Sequence, residues 1–189
     1  KKSLVKATSY FDNITVDLIY GIPTMSNEQW KENLKIVFDS GVHHISSYAL
    51  TVEPKTALDS FIKKGKYPPV DEDKSLEHFN ILVKETAKHG FIQYEISNFG
   101  QPAYFSKHNT SYWLGKPYVG IGPSAHSYNG THRSWNVSNN SKYLKAIQSD
   151  SLPHEIEELS LKDRFNEAVM TGLRTIWGIN IKEIESHFG

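Results

Sequence analysis

The sequence predicts an α/β fold, on three observations. Short β-branched apolar runs alternate with amphipathic segments, in the order β-α-β-αα-β between Ile14 and Ser97. Capping residues and glycines bound the helical segments on the N- and C-terminal sides respectively. The first run, Ile14 to Tyr20, is nearly continuous in apolar residues, as suits a parallel strand covered on both faces. Such alternation argues for parallel strands with right-handed helical crossovers, in an open α/β sheet or in part of a β/α barrel.

Taken in order, Lys1 to Tyr10 reads as a helix that delivers the first strand. Ile14 to Tyr20 could by pattern be strand or buried helix, and its brevity and the following Gly-Ile-Pro favour strand. Ser26 with Gln29 forms a capping box, and Trp30, Leu34, Val37 and Phe38 then share one helical face up to Gly41. His44 to Leu50 is the next strand, and a short helix covers Lys55 to Lys64. After a linker, Gly65 to Val70, a longer helix starts at Asp71 or Glu72, turns Leu76, Phe79, Val83 and Ala87 inward, and stops at Gly90. Ile92 to Ser97 is a further strand.

The alternation then gives way to HNTSYWLGKPYVGIGPSAHS, residues 108–127, which reads as neither helix nor clean strand. Its glycines, Gly115, Gly120 and Gly122, allow close backbone approach or positive φ, while Tyr112, Trp113 and Tyr118 offer flat faces with polar tips. A loop of that make-up suits a flat or extended ligand, against the alternative that the aromatics only close one end of a sheet. A strand over Tyr118 to Ile121, a hairpin at Asn129-Gly130, and helices over 141–149, 160–175 and 180–188 complete the chain.

The bulk numbers exclude several classes. The 189 residues carry 21 basic and 21 acidic side chains, with no basic run, so neither nucleic acid nor an anionic membrane has a field to follow. No apolar stretch approaches the roughly 20 residues that a transmembrane helix needs, and the N-terminus lacks the apolar core of a signal peptide. The expected location is cytoplasmic. Cysteine is absent, which excludes disulfides, thiolate metal sites and a cysteine nucleophile among the residues present.

Five segments in order, VDLIYGIP (16–23), SSYALTVEP (46–54), QYEISNFGQP (93–102), KHNTSYW (107–113) and GIGPSAHSY (120–128), resemble the radical S-adenosylmethionine (SAM) family of oxygen-independent coproporphyrinogen III oxidase. The HNxxYW element, His108, Asn109, Tyr112 and Trp113, resembles its HemW-like, haem chaperone branch. The resemblance implies, for residues 1–137, the C-terminal half of a partial (β/α)6 radical SAM barrel that includes the HNxxYW loop. Residues 138–189 would be a helical segment leading into a small C-terminal domain. It also implies a 4Fe-4S cluster held by a CxxxCxxC loop. With no cysteine in this chain, that loop is expected upstream of Lys1, and these residues alone are expected not to cleave SAM.

Position by position, the resemblance gives Asp17, Thr51 and His126 to SAM, with the Asp17 carboxylate suited to ribose hydroxyls. It gives His108, Tyr112 and Trp113 to haem, the imidazole as a possible iron ligand and the rings as stacking faces. Arg133, whose planar fork matches a carboxylate, is the cation best suited to a propionate, although a plain surface arginine is the commoner reading. The other histidines show no HExxH or comparable metal spacing and read as surface or core residues. The function implied is haem binding and transfer to an acceptor protein. The alternative is the oxidase reaction, oxidative decarboxylation of the propionates of coproporphyrinogen III to protoporphyrinogen IX. The expected partners are accordingly haem or porphyrin and a haem-acceptor protein.

Overall fold

A computed structural model describes residues 2–189. The chain folds as two compact units, Lys1–Ser106 and Lys107–Gly189. The division lies well before 137/138, where the sequence reading divides the barrel from the helical segment, because residues on both sides of 137 hydrogen-bond in one sheet, described below.

In the first unit, helix α1 (Lys2–Thr8) precedes strand β1 (Thr15–Tyr20), helix α2 (Asn27–Asp39) and strand β2 (His44–Ala49). The capping box forms as read: the Ser26 hydroxyl accepts from the Gln29 amide while the Gln29 side chain accepts from the Ser26 amide. β1 and β2 pair in parallel from Thr15 opposite His44 to Tyr20 opposite Ala49. Helices α3 (Ala57–Lys63) and α4 (Glu72–Lys88) follow, capped by Thr56 and Asp71.

The sheet face that carries Val16, Leu18, Tyr20 and Ile45 packs on α2 and α4, with Trp30, Leu34, Val37 and Leu82 at the centre of the core. The buried stripe of α4 is His78, Leu82 and Thr86, whereas Leu76 and Ala87, expected to face inward, are exposed. Two polar residues hide that stripe from an apolar pattern. Each has a buried hydrogen bond: His78 Nδ1 accepts from the Gly21 amide at 3.1 Å, and the Thr86 hydroxyl donates to the Leu82 carbonyl at 2.8 Å.

The stretch read as one strand over 92–97 is instead β3 (Ile92–Gln93), a turn, and β4 (Asn98–Gly100), so the sheet order is β1-β2-β4-β3 with β4 antiparallel to both neighbours. Glu95 causes the fold-back: its carboxylate is buried and accepts from the Ser97 amide and the Asn98 side chain, which rewards a tight turn over a continued strand.

In the second unit, helix α5 (Lys107–Trp113) leads to the antiparallel sheet β5 (His126–Tyr128), β6 (His132–Asn136) and β7 (His154–Glu158). The Asn129-Gly130 hairpin joins β5 to β6, with Asn129 Oδ1 accepting from the amides of Thr131 and His132. Helix α6 (Asn140–Gln148) lies between β6 and β7, and helices α7 (Leu161–Leu173) and α8 (Ile181–Phe188) close the chain. β7 is fully exposed in side chain and rich in glutamate, so it carries no hydrophobic signal, and its pairing with β6 joins residues 132–136 to 154–158. Neither sheet closes into a barrel among the described residues.

Candidate functional site

The first unit has a polar sheet face opposite its core. Side chains alternate across a strand, so Asp17 shares a face with Ser46 and Tyr48, through the pairing of Asp17 with Ser46 and of Ile19 with Tyr48. The next strand adds Asn98, whose Oδ1 accepts from the Ser46 hydroxyl at 2.8 Å. Below them His44 Nε2 meets the Tyr94 hydroxyl at 2.6 Å, and Phe105 stacks on Tyr94 at 4.3 Å. Burial pushes the Tyr94 hydroxyl up to about 12, and burial holds His44 below the usual histidine range against a smaller opposing pull from Asp17. The face thus combines a buried hydrogen-bonded network of His44, Ser46, Tyr94 and Asn98 with an exposed carboxylate, Asp17. Thr51 lies exposed just past the C-terminal end of β2.

The second unit gathers the aromatic residues. The segment read as a loop begins as a helix, and this decides which side chains meet. His108 and Tyr112 stand four residues apart on α5, so their rings share one face and touch edge to face at 4.9 Å. Trp113, one residue on, leaves that face and lies under the Arg174 guanidinium, 5.8 Å from the ring centre. The three residues given to haem therefore separate, with His108 and Tyr112 together and Trp113 elsewhere. The row continues from Tyr112 to Tyr118 at 4.7 Å and on to Tyr128 at 6.1 Å. Burial raises the Tyr118 hydroxyl above the usual tyrosine value.

Backbone pairing holds the row. Tyr118 and Tyr128 exchange two amide-to-carbonyl hydrogen bonds of 2.9 Å each, an isolated bridge where the sequence suggests a strand over 118–121. Gly120 follows, lying so close to β5 that an added Cβ would overlap the His126 carbonyl and come within 2.7 Å of the His126 backbone N and C. Its close approach is to its own chain. Its amide donates to the Ser127 hydroxyl at 2.9 Å, and the buried Asn136 side chain donates to the Gly122 carbonyl at 2.9 Å. His126 opens β5 as an exposed ring beside Trp135.

Beside this row lies a cavity of about 500 Å³. Tyr112, Tyr118 and Tyr128 line it, with Arg133, Arg164 and Glu167 as its charged members. Arg133 is already engaged: one guanidinium nitrogen donates to both Glu167 oxygens, at 2.9 and 3.0 Å, which also raises its pKa. Arg164, on the α7 face that also carries Glu167, Ala168 and Thr171, was invisible to sequence reasoning, since nothing in a run of charged residues at a helix start marks one arginine as facing a cavity. Among the described residues no cluster of three or more metal-ligating side chains occurs, and no helix is long and apolar enough to cross a membrane.

No protein-family model matches the chain. Sequence relatives do: it is 31% identical over 180 residues to the haem chaperone HemW of Bacillus subtilis, covering 95% of this chain and 48% of that protein. Against HemW of Lactococcus lactis it is 34% identical over 178 residues, 94% of this chain and 47% of the relative. It also superposes on coproporphyrinogen III oxidase (HemN) from Escherichia coli, a radical SAM enzyme, with a TM-score of 0.78 over 98% of this chain and 46% of that one, at 18% identity. The chain belongs to the radical SAM HemN/HemW-like family.

The chain spans about half the length of the curated relatives it matches. The HemN likeness shows the fold alone, so the mixed α/β architecture is that of the radical SAM fold over the matched part, and the oxidase reading is not favoured over the HemW-like one. The family implies SAM and a 4Fe-4S cluster. The residues present do not fit the cluster, since the chain holds no cysteine to supply thiolates. They do fit SAM in one respect, an exposed carboxylate standing on a polar sheet face.

Proposed function

We propose that this chain is the haem-seating part of a HemW-like protein, which binds haem and passes it to an acceptor protein, with a cytoplasmic setting. The observation that carries the reading is the aromatic row: His108 and Tyr112 on one face of α5, continued by Tyr118 and Tyr128. An imidazole at the end of a line of ring edges offers a nitrogen to iron, and the rings offer flat apolar surface to the macrocycle. The HemW relatives are named haem chaperones, which agrees with this use of the row.

SAM, in the same reading, is contacted by the first unit, where the Asp17 carboxylate accepts from the ribose hydroxyls and Thr51 contributes backbone or apolar contact. Bound SAM and cluster would supply reductive radical chemistry in the family at large. The residues here serve binding and orientation: Asp17 accepts hydroxyl protons in hydrogen bonds, and the Ser46–Asn98 and His44–Tyr94 pairs keep the sheet face beneath it in one arrangement.

The test is titration of the chain with hemin, followed through the Soret band. Saturable binding with a spectrum of histidine-ligated iron is expected. Hemin that stays in its free, aggregated form at every protein concentration contradicts the reading.

A further inference from the structure

We propose that Arg164 is the carboxylate clamp of the cavity beside the tyrosine row, and that the group it seats is a propionate of a porphyrin; this rests on the haem reading and assigns it a second anchoring point.

The argument starts from charge. The cavity has two guanidinium groups and one carboxylate. Glu167 is spent on Arg133, both of its oxygens accepting from one Arg133 nitrogen, and Glu157 stands 3.9 Å from the same guanidinium. Arg164 is left over: its Nε is buried without a hydrogen-bond partner, and it forms no ion pair among the described residues. A buried donor with no acceptor is costly, so folded proteins rarely leave one except where a ligand or water completes it. The position therefore asks for an anion, and the guanidinium fork favours a planar one.

The rest of the lining narrows the anion. Tyr112, Tyr118 and Tyr128 form one side, and Met170 and Phe188 add apolar surface. Inorganic phosphate would use the charge and waste the rings. A flat aromatic molecule that bears a carboxylate on a short arm uses both. Tyr112 is shared, lining the cavity and touching His108, which sets the cavity within one ring of the imidazole. The propionate partner is thus Arg164 and not Arg133, whose charge is already paired with Glu167.

The experiment uses metal-free protoporphyrin IX, which needs no iron ligand, and its dimethyl ester, which keeps the ring and loses the carboxylates. Both are titrated into the chain by tryptophan quenching and porphyrin fluorescence, beside Arg164→Gln and Arg164→Lys. The wild-type chain is expected to bind the diacid about tenfold tighter than the diester, the gain of one charge-assisted hydrogen-bonded pair. Arg164→Gln should bring the diacid down to the diester, and Arg164→Lys should fall between. Equal binding of diacid and diester by wild type overturns the clamp without reference to any variant, as does failure to bind either. Hemin bound through a histidine with no effect of esterification sinks the clamp and leaves the haem reading standing. A diacid preference without iron ligation does the reverse.

Discussion

Gly120→Ala is the sharpest test of how the aromatic row is held. The new methyl group would overlap the His126 carbonyl and lie 2.7 Å from two further His126 backbone atoms, where ordinary contact begins at 3.4 Å. All the atoms in the way are backbone, so β5 and the 118–122 segment must part. The two Tyr118–Tyr128 hydrogen bonds and the Gly120-to-Ser127 bond are strained together. At about 1 kcal/mol for each weakened bond the cost is roughly 2–3 kcal/mol. Gly115→Ala is the control: φ is +59°, nothing lies within 4 Å of its added Cβ, and only the left-handed backbone is penalised, at about 1 kcal/mol. Amide hydrogen exchange at Tyr118 and Tyr128 reads the difference. Local opening should accelerate about thirtyfold or more in Gly120→Ala and stay near wild type at these two amides in Gly115→Ala. Equal exchange in both variants refutes the packing argument.

Two further outcomes concern the first unit. Tyr94→Phe removes the hydroxyl that meets His44 Nε2, and His44 Nδ1 is already unpartnered, so the buried imidazole is stranded; urea denaturation should report a loss of about 1–3 kcal/mol. Burial lowers the pKa of both His44 and His78 below the unfolded value of 6.5. The unfolded chain then binds more protons than the folded one, so stability is full above about pH 6.5 and falls as the pH drops through that value toward the lowered pKa. The urea midpoint should therefore be lower at pH 5.5 than at pH 7.5, and a midpoint unchanged or higher at pH 5.5 contradicts the burial of neutral imidazoles.

The elements that the sequence made legible are those whose signals are local. The Ser26 capping box, the β1 run and the Asn129-Gly130 hairpin each depend on residues a few positions apart, and each formed as read. What escaped depended on polar hydrogen bonds and pairings that leave no apolar pattern. The α4 stripe is polar at His78 and Thr86, which bond a backbone amide from residue 21 and a carbonyl within the helix. β7 pairs only through β6 and buries nothing, so no apolar alternation marks it. Glu95 turns a strand into a hairpin by accepting from the Ser97 amide and the Asn98 side chain.

The candidate site was legible to the same degree. Its residue types were evident in HNxxYW, but their grouping was not, because a seven-residue helix places His108 with Tyr112 and sends Trp113 toward Arg174. Arg164 enters the site only through the fold of α7.

The measurement closest to the central claim is hemin binding by His108→Ala, Tyr112→Ala and Trp113→Ala, followed through the Soret band beside the wild-type chain. If the row on α5 seats haem, His108→Ala abolishes the histidine-ligated spectrum, Tyr112→Ala weakens binding, and Trp113→Ala changes it least of the three. Saturable, histidine-ligated binding that survives in His108→Ala would place the iron elsewhere and contradict the account.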